Sequence, residues 1–319
     1  MMHVFVYEHF SGGAADAPPD ASRDLLEAGR AMRDAVVRDL LQIGDCAVTV
    51  AAGPHALEIP PGARRIQPVA GVGADEFVAE QARHHDRVWV IAPETDGVLA
   101  RLQRCVEPGR WIGCDAAAIA LASSKRGTLA HASAHGIATP LDFASTSATC
   151  RWVVKPDDGA GSIATQVHGS LAQAQADAQA RRDRGEPATV EAWVDGDALS
   201  LSLLCGARGS ELLSVNRQQI TIDPLGVLSF DGVEVNMMRP DNVRLAQLRA
   251  WALALTCSVP GLHGFVGVDL VWHRRHGPVL IEINPRVTMA YVGLSAALDL
   301  NIAAAVLAIH DREVAHVAA

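Results

Sequence analysis

The 319-residue chain sets 27 Lys and Arg against 36 Asp and Glu, for a formal net charge of −9, and is 49% hydrophobic but only 4% aromatic. There is ample material for a core, while the acidic balance and scarcity of rings exclude a nucleic-acid groove, which needs basic stripes and stacking side chains. Six scattered cysteines without a CxxC pair, and no cleavable signal before the first strand, fit a reduced cytoplasm.

The opening run His3 to Tyr7 reads as a buried strand ending in Ser11-Gly12-Gly13, followed by an amphipathic helix from about Arg23 to Gln42. Cys46–Ala51 and Val88–Ile91 read as further buried strands. This alternation predicts an α/β unit over 1–120, a doubly wound parallel sheet with the Gly12-Gly13 and Glu94–Gly97 loops at carboxyl ends of strands, where ligands bind. Gly12-Gly13 lacks the GxGxxG spacing of a dinucleotide site and equally suits a plain turn.

From Ser124-Lys125 a helix runs to a stop at His135-Gly136, with Gly136 as its C-cap residue and Pro140 beyond. His131 and His135 lie one turn apart, but without HExxH or a third ligand they read as packing or surface residues rather than zinc ligands. Arg151–Pro156 is a strand carrying Lys155 at its end, and Asp157-Asp158-Gly159-Ala160-Gly161-Ser162 follows. Glycines leave backbone N–H groups open to phosphate oxygens and the lysine adds a point charge, although glycine loops also serve as simple connectors.

A helix over Leu171–Arg184 leads to the strand around Thr189-Val190-Glu191, then Trp193-Val194 and a turn at Gly196-Asp197. Leu199–Leu204, with Ser200 and Ser202 alternating with leucines, is half-buried β, and Leu212–Gln219 adds a polar strand containing Asn216 and Arg217. Residues 230–240 read as a loop whose Asn236 and Arg239 line a substrate pocket. Ala250 to Val268 is uncharged over 19 residues, yet Pro260, Gly261, Gly264 and Gly267 divide it into a helix and a strand, so no membrane span is expected.

The densest signal is a hairpin, Gly267–Val271 against Val279–Arg286, turning at Arg275-His276. Antiparallel pairing places Asp269 opposite Glu282, with Asn284 on the same face and Val268, Leu270, Ile281 and Ile283 on the other. Like charges set opposite each other are unfavourable, and two carboxylates plus an amide oxygen suit a hard cation such as Mg²⁺ or Mn²⁺ holding a polyphosphate. A solvated acidic face is the plainer alternative.

In this order the segments resemble the ATP-grasp superfamily over roughly residues 90–305. The resemblance implies an α/β (α+β) ATP-grasp fold with a central subdomain over 121–190 and a metal-bearing subdomain over 191–319. It implies ATP held by Lys125, Lys155, the Gly159, Gly161 and Ser162 loop, Glu191, Trp193 and Val194, and metal held by Asp269, Glu282 and Asn284. Arg286 becomes the catalytic arginine. Two departures stand out: Ala198 occupies the position of a common ribose-binding glutamate, leaving Asp197 as the substitute, and Gly267 stands where some peptide ligases carry arginine. The implied activity is ATP-dependent carboxylate–amine ligation through an acyl phosphate, with small-molecule acid and amine substrates. Tyr7–Gly13, Ile91–Gly97, Ser200–Ser202 and Val215–Gln218 look closest to the tyramine-glutamate ligase branch of methanofuran-type cofactor biosynthesis. Gly12, Gly13, Asn216, Arg217 and Arg239 then fall on the substrate side. Another amino-acid ligase, a non-catalytic nucleotide-binding protein and a homodimer stay open.

Overall fold

The computed structural model describes residues 1–317 apart from 17–22, 55, 57, 146–149, 160–162, 208 and 240. Continuous apolar runs build a parallel sheet from β1 (Met2–Glu8), β2 (Cys46–Ala51), β3 (Arg64–Ile66), β4 (Arg87–Ile91) and β5 (Trp111–Ile112), in the order β3-β2-β1-β4-β5. Val4, Phe5, Val6 and Tyr7 of β1 are all fully buried, as expected for a central strand covered on both faces. Helices α1 (Arg23–Leu41), α2 (Ala74–His84) and α3 (Val98–Arg104) make the crossovers. Strand order reverses between β1 and β4, so the loops after those strands, 9–13 and 92–97, flank the switch point of the sheet.

Helix α4 (Ala116–Ala122) is capped by Asp115, and α5 (Lys125–Ala134) by Ser124, whose Oγ accepts from Gly127 N. Gly136 follows α5 at φ +75°, the left-handed stop that its sequence position predicts. Next comes a three-stranded antiparallel sheet of β6 (Trp152–Pro156), β7 (Gln166–His168) and β8 (Ala188–Ala192), ordered β7-β6-β8. Trp152, Val154 and Ala192 on one of its faces pack on Ala174 and Ala178 of α6 (Leu171–Asp183). Lys155 and Glu191 have the opposite parity and lie on the face turned away from α6.

A five-stranded antiparallel sheet follows, β11-β10-β9-β12-β13, from β9 (Asp197–Gly206), β10 (Gly209–Ile222), β11 (Leu228–Glu234), β12 (Gly264–His273) and β13 (Gly277–Asn284). Leu199, Leu201, Leu203, Val215, Val266, Val268 and Leu270 turn to α7 (Val243–Ser258) and form the core with its Leu245, Leu248, Ala252 and Leu255. Helices α8 (Leu294–Leu298) and α9 (Ile302–Val317) close the chain, α9 packing with α1 and the parallel sheet. Among the described residues no helix is long and apolar enough to cross a membrane.

Two expectations need correction. Residues 230–240 do not form a loop throughout, because Leu228–Glu234 pairs with β10 as the edge strand β11. The alternation assumed along β13 breaks at Ile281: Asp269 pairs with Glu282, but Leu270 pairs with Leu280, so Ile281 is the extra residue of a β-bulge. The bulge lets the apolar face continue through Leu280 while Glu282 and Asn284 keep the polar face.

Candidate active site

The polar face of the large sheet is assembled by strand register. Ser200, Asp269 and Glu282 are successive cross-strand partners, and Gly267 pairs with both Ser202 and Asn284. Asn284 Nδ2 reaches Asp269 Oδ2 at 3.4 Å. Beneath them Asn216, fully buried, donates to Ser202 Oγ at 3.1 Å and accepts from Ser214 Oγ at 2.9 Å. Gln218, two residues further along β10, supplies a side-chain hydrogen bond to Asp269.

The ionisation of Asp269 and that of Glu282 are driven in opposite directions. Burial first, and then the negative charge of Glu282, pushes the Asp269 carboxyl well above the usual range. Burial also opposes ionisation of Glu282, but the Lys125 and Lys155 ammonium groups outweigh it and bring that carboxyl down to about 2. Lys125 Nζ lies 3.1 Å from Glu282 Oε2 and also donates to Gly159 O, so one lysine joins the metal-type carboxylate to the glycine loop. Asp157 fixes the base of that lysine, its carboxylate accepting from Ser124 Oγ at 2.8 Å and Arg126 N at 2.9 Å.

On the small sheet, Lys155 Nζ meets Glu191 Oε2 at 2.9 Å, with both side chains at least nine-tenths buried. Glu191 Oε1 is buried without a hydrogen-bond partner. A buried carboxylate oxygen left bare calls for a donor from a bound molecule. Trp193 stacks under Arg151, whose Cζ is 4.5 Å from the ring centroid, and Val194 is buried at the exit of the strand pair. Gly159 lies in the crevice formed by Glu94, Lys125, Asp158, Glu282 and Asn284, whereas the expected ligands Gly161 and Ser162 lie outside the described residues. Arg286, just past β13, is gripped by Glu94, with Nε to Oε1 at 3.0 Å and Nη2 to Oε2 at 2.9 Å.

Several candidates are not brought to this cluster. Asp197 has the opposite strand parity from Ser200, and its carboxylate meets Arg244 of α7 at 2.7 Å, with both partners partly exposed. It is therefore on the helix-covered face and does not replace the acid missing at Ala198. Arg217 likewise faces away from Asn216 and Gln218, pairing with Glu234 at 3.6 Å. Arg239 is exposed and lines a separate surface cleft with Asp241 and Arg244. Gly12 and Gly13 serve close packing: a Cβ on Gly13, at φ +82°, would sit 2.4 Å from Gly53 Cα, and one on Gly12 would sit 2.5 Å from Tyr7 Cε2. Gly267 has a similar cause, since a Cβ there would lie 2.5 Å from Thr288 Cγ2. Among the described residues no set of three His, Cys, Asp or Glu gathers as a metal cluster, and His131 instead bonds Ser258 O at 2.6 Å.

Sequence reading missed Glu94 as the partner of Arg286 and Gln218 as the partner of Asp269. Gln218 was accessible in principle, because it follows Asn216 at the strand period of two.

The sequence matches the ATP-grasp domain over residues 122–290 and the pre ATP-grasp 3 domain over residues 46–119. The first match spans more than half of the chain, and the chain belongs to the ATP-grasp family. Its fold is that of solved structures at low identity. An Archaeoglobus fulgidus protein assigned to the ATP-grasp superfamily superposes with a TM-score of 0.70 at 21% identity, covering 97% of this chain and 88% of that one. VanG D-Ala:D-Ser ligase from Enterococcus faecalis gives 0.65 at 14%, covering 97% and 99%. The L-amino acid ligase from Bacillus licheniformis gives 0.65 at 14%, covering 96% and 73%. No curated protein sequence matches significantly.

Proposed function

We propose that this ATP-grasp ligase joins a carboxylate to an amine at the expense of ATP, through an acyl phosphate, and that glutamate is its acid and tyramine, tyrosine or a similar amine its acceptor. The observation that carries the reading is the single face bearing Asp269, Glu282 and Asn284 with Lys125 and Arg286 beside it. Ligases among the structural neighbours support the reaction type. The narrower choice of substrates rests on the resemblance of Tyr7–Gly13, Ile91–Gly97, Ser200–Ser202 and Val215–Gln218 to the tyramine-glutamate ligase branch.

The donor set fits a divalent cation: two facing carboxylates and an amide oxygen are hard oxygen ligands gathered on one face. Asp269, Glu282 and Asn284 would hold Mg²⁺ or Mn²⁺, which supplies charge neutralisation for the phosphates. The remaining work falls to the chain itself. Lys125 and Lys155 hold nucleotide phosphates as point charges, and Glu191 accepts from the base through its bare Oε1. The segment from Gly159 covers the phosphates and excludes water, protecting the acyl phosphate from hydrolysis. Arg286 stabilises charge on the transferring phosphoryl group, after which the amine attacks the acyl carbon and inorganic phosphate leaves. No side chain need act as a covalent nucleophile.

The test is incubation with ATP, Mg²⁺, glutamate and a panel of amines, with ADP and phosphate assayed and products weighed by mass spectrometry. The reading requires ADP release that depends on both acid and amine and a product at the amide mass. Hydrolysis that neither substrate stimulates would refute it.

A further inference from the structure

Glu94 and Arg286 are 192 positions apart, yet they form a two-bond fork between two units of the fold. Glu94 follows β4 of the parallel sheet, and Arg286 follows β13 of the large antiparallel sheet. Both side chains are well covered, at 7% and 11% exposure. A guanidinium has five N–H donors. The fork uses two, on Nε and Nη2, and Nη1 donates a third to Val287 O at 3.1 Å. One N–H on each terminal nitrogen is left for an incoming anion while the fork stays closed.

The base of Glu94 is itself held. Thr95 Oγ1 donates to Asp158 O at 3.1 Å and Asp96 N donates to Asp158 Oδ2 at 3.0 Å, seating the loop against the start of the glycine segment. Asp96 adopts φ +54°, a conformation that non-glycine residues keep only where surrounding contacts enforce it. Glu94 also lines the same crevice as Lys125, Gly159, Glu282 and Asn284.

We propose that Glu94 is the positioning residue for Arg286: it fixes the plane of the guanidinium so that its two unused N–H groups meet the transferring phosphoryl group. An arginine buried without a counter-ion is costly, and one left free must be ordered during each turnover. Glu94 answers both needs before nucleotide arrives. The inference rests on the phosphoryl-transfer reading of the site, and its test separates the two.

Binding of Mg²⁺ with a non-hydrolysable ATP analogue and with ADP is measured for the wild type, Glu94→Ala, Glu94→Gln, Arg286→Ala and the Glu94→Ala/Arg286→Ala double variant. The wild type prefers the triphosphate. Each alanine variant lowers that preference by about 10-fold or more, the size expected for a lost charge-assisted hydrogen bond, with ADP affinity held within about 2-fold. The double variant falls no further than either single change, because both remove one device. Glu94→Gln, which keeps an acceptor oxygen, lies between, and it carries the test if the alanine variant does not fold. Unchanged preference in Glu94→Ala, unchanged preference in Arg286→Ala, or effects that multiply in the double variant would each overturn the proposal. Turnover with glutamate and tyramine is run in parallel. If the wild type turns over, kcat falls in the same order of variants and KM for ATP rises with the lost triphosphate affinity; if no acid and amine support turnover, the ligase reading fails while the binding ratios still decide the role of Glu94.

Discussion

Lys155 and Glu191 form a buried ion pair across the β6 and β8 strands, with Nζ 2.9 Å from Oε2 and the other carboxylate oxygen unpartnered. Removing one member leaves the other charge stranded, which costs about 3–5 kcal/mol for a buried pair. Lys155→Met is therefore expected to lower the melting temperature of the nucleotide-free protein and to weaken Mg-ATP binding at the same time. Glu191→Gln should cost less stability, since the amide can keep a hydrogen bond without a charge. Thermal melts with and without Mg-ATP, alongside calorimetric titration, check both.

The Asp269 and Glu282 pair predicts an opposite signature. Burial and the facing Glu282 charge already disfavour an ionised Asp269 until a cation arrives, so the neutral amide of Asp269→Asn should leave the metal-free protein as stable as wild type or more so. The same variant should lose the rise in melting temperature that Mg²⁺ gives the wild type. Glu282→Ala should reduce turnover by about 1,000-fold or more, as expected when the charge stabilising a phosphoryl transfer is removed. A Mg²⁺-dependent shift that survives in Asp269→Asn would count against these ligands.

How much of this was legible follows from distance along the chain. Asp269 and Glu282 are joined by one hairpin, so a period of two and a turn signal suffice to set them face to face, and register bears this out. The lysines were legible because each ends or begins a periodic segment. The bulge at Ile281 was not, since no glycine or proline marks it. Strands of two or three residues, Trp111–Ile112 and Arg64–Ile66, leave no periodicity to read. The Glu94 and Arg286 fork depends on how the parallel sheet seats against the large sheet, which no local pattern encodes.

The strand parity that separates Asp197 from Gln218 can be tested directly. Asp197 makes a surface ion pair with Arg244, which is worth about 0–1 kcal/mol. Asp197→Ala should leave the KM for ATP unchanged and lower stability only slightly. Gln218→Ala removes a hydrogen bond from Asp269 and should lower activity by about 10-fold at limiting Mg²⁺, comparable to losing an outer partner of a metal ligand. Steady-state kinetics across a Mg²⁺ series distinguishes the two, and a strong ATP effect from Asp197→Ala would show that the face assignment is wrong.

Gly13 offers a stability test free of catalysis. Its φ of +82° and the approach of Gly53 leave no space for a methyl group, and the same crossing is sealed by a hydrogen bond from Gly53 N to Ser11 O at 2.7 Å. Gly13→Ala combines left-handed backbone strain of about 1–2 kcal/mol with a backbone clash. Chemical denaturation should register a loss of at least that size. A variant as stable as wild type would mean that the crossing can relax and that Gly13 is available for another role.

His310 contributes to the acid sensitivity of the fold. Burial between α9 and the end of β5, with smaller contributions from His263 and Arg87, lowers its imidazole pKa to about 3, and neutral Nε2 accepts from Gly113 N at 3.3 Å. A base whose folded value lies below its unfolded value of about 6.5 binds its proton more readily when unfolded. Its contribution is present above about pH 6.5 and is lost as pH falls toward 3, amounting to about 2 kcal/mol by pH 5 at 1.36 kcal/mol per unit. His310→Gln keeps a hydrogen-bond acceptor but cannot protonate, so its denaturation midpoint should fall less than that of wild type between pH 7 and 5. Parallel curves for the two proteins over that interval would show that the imidazole is not held neutral in the fold.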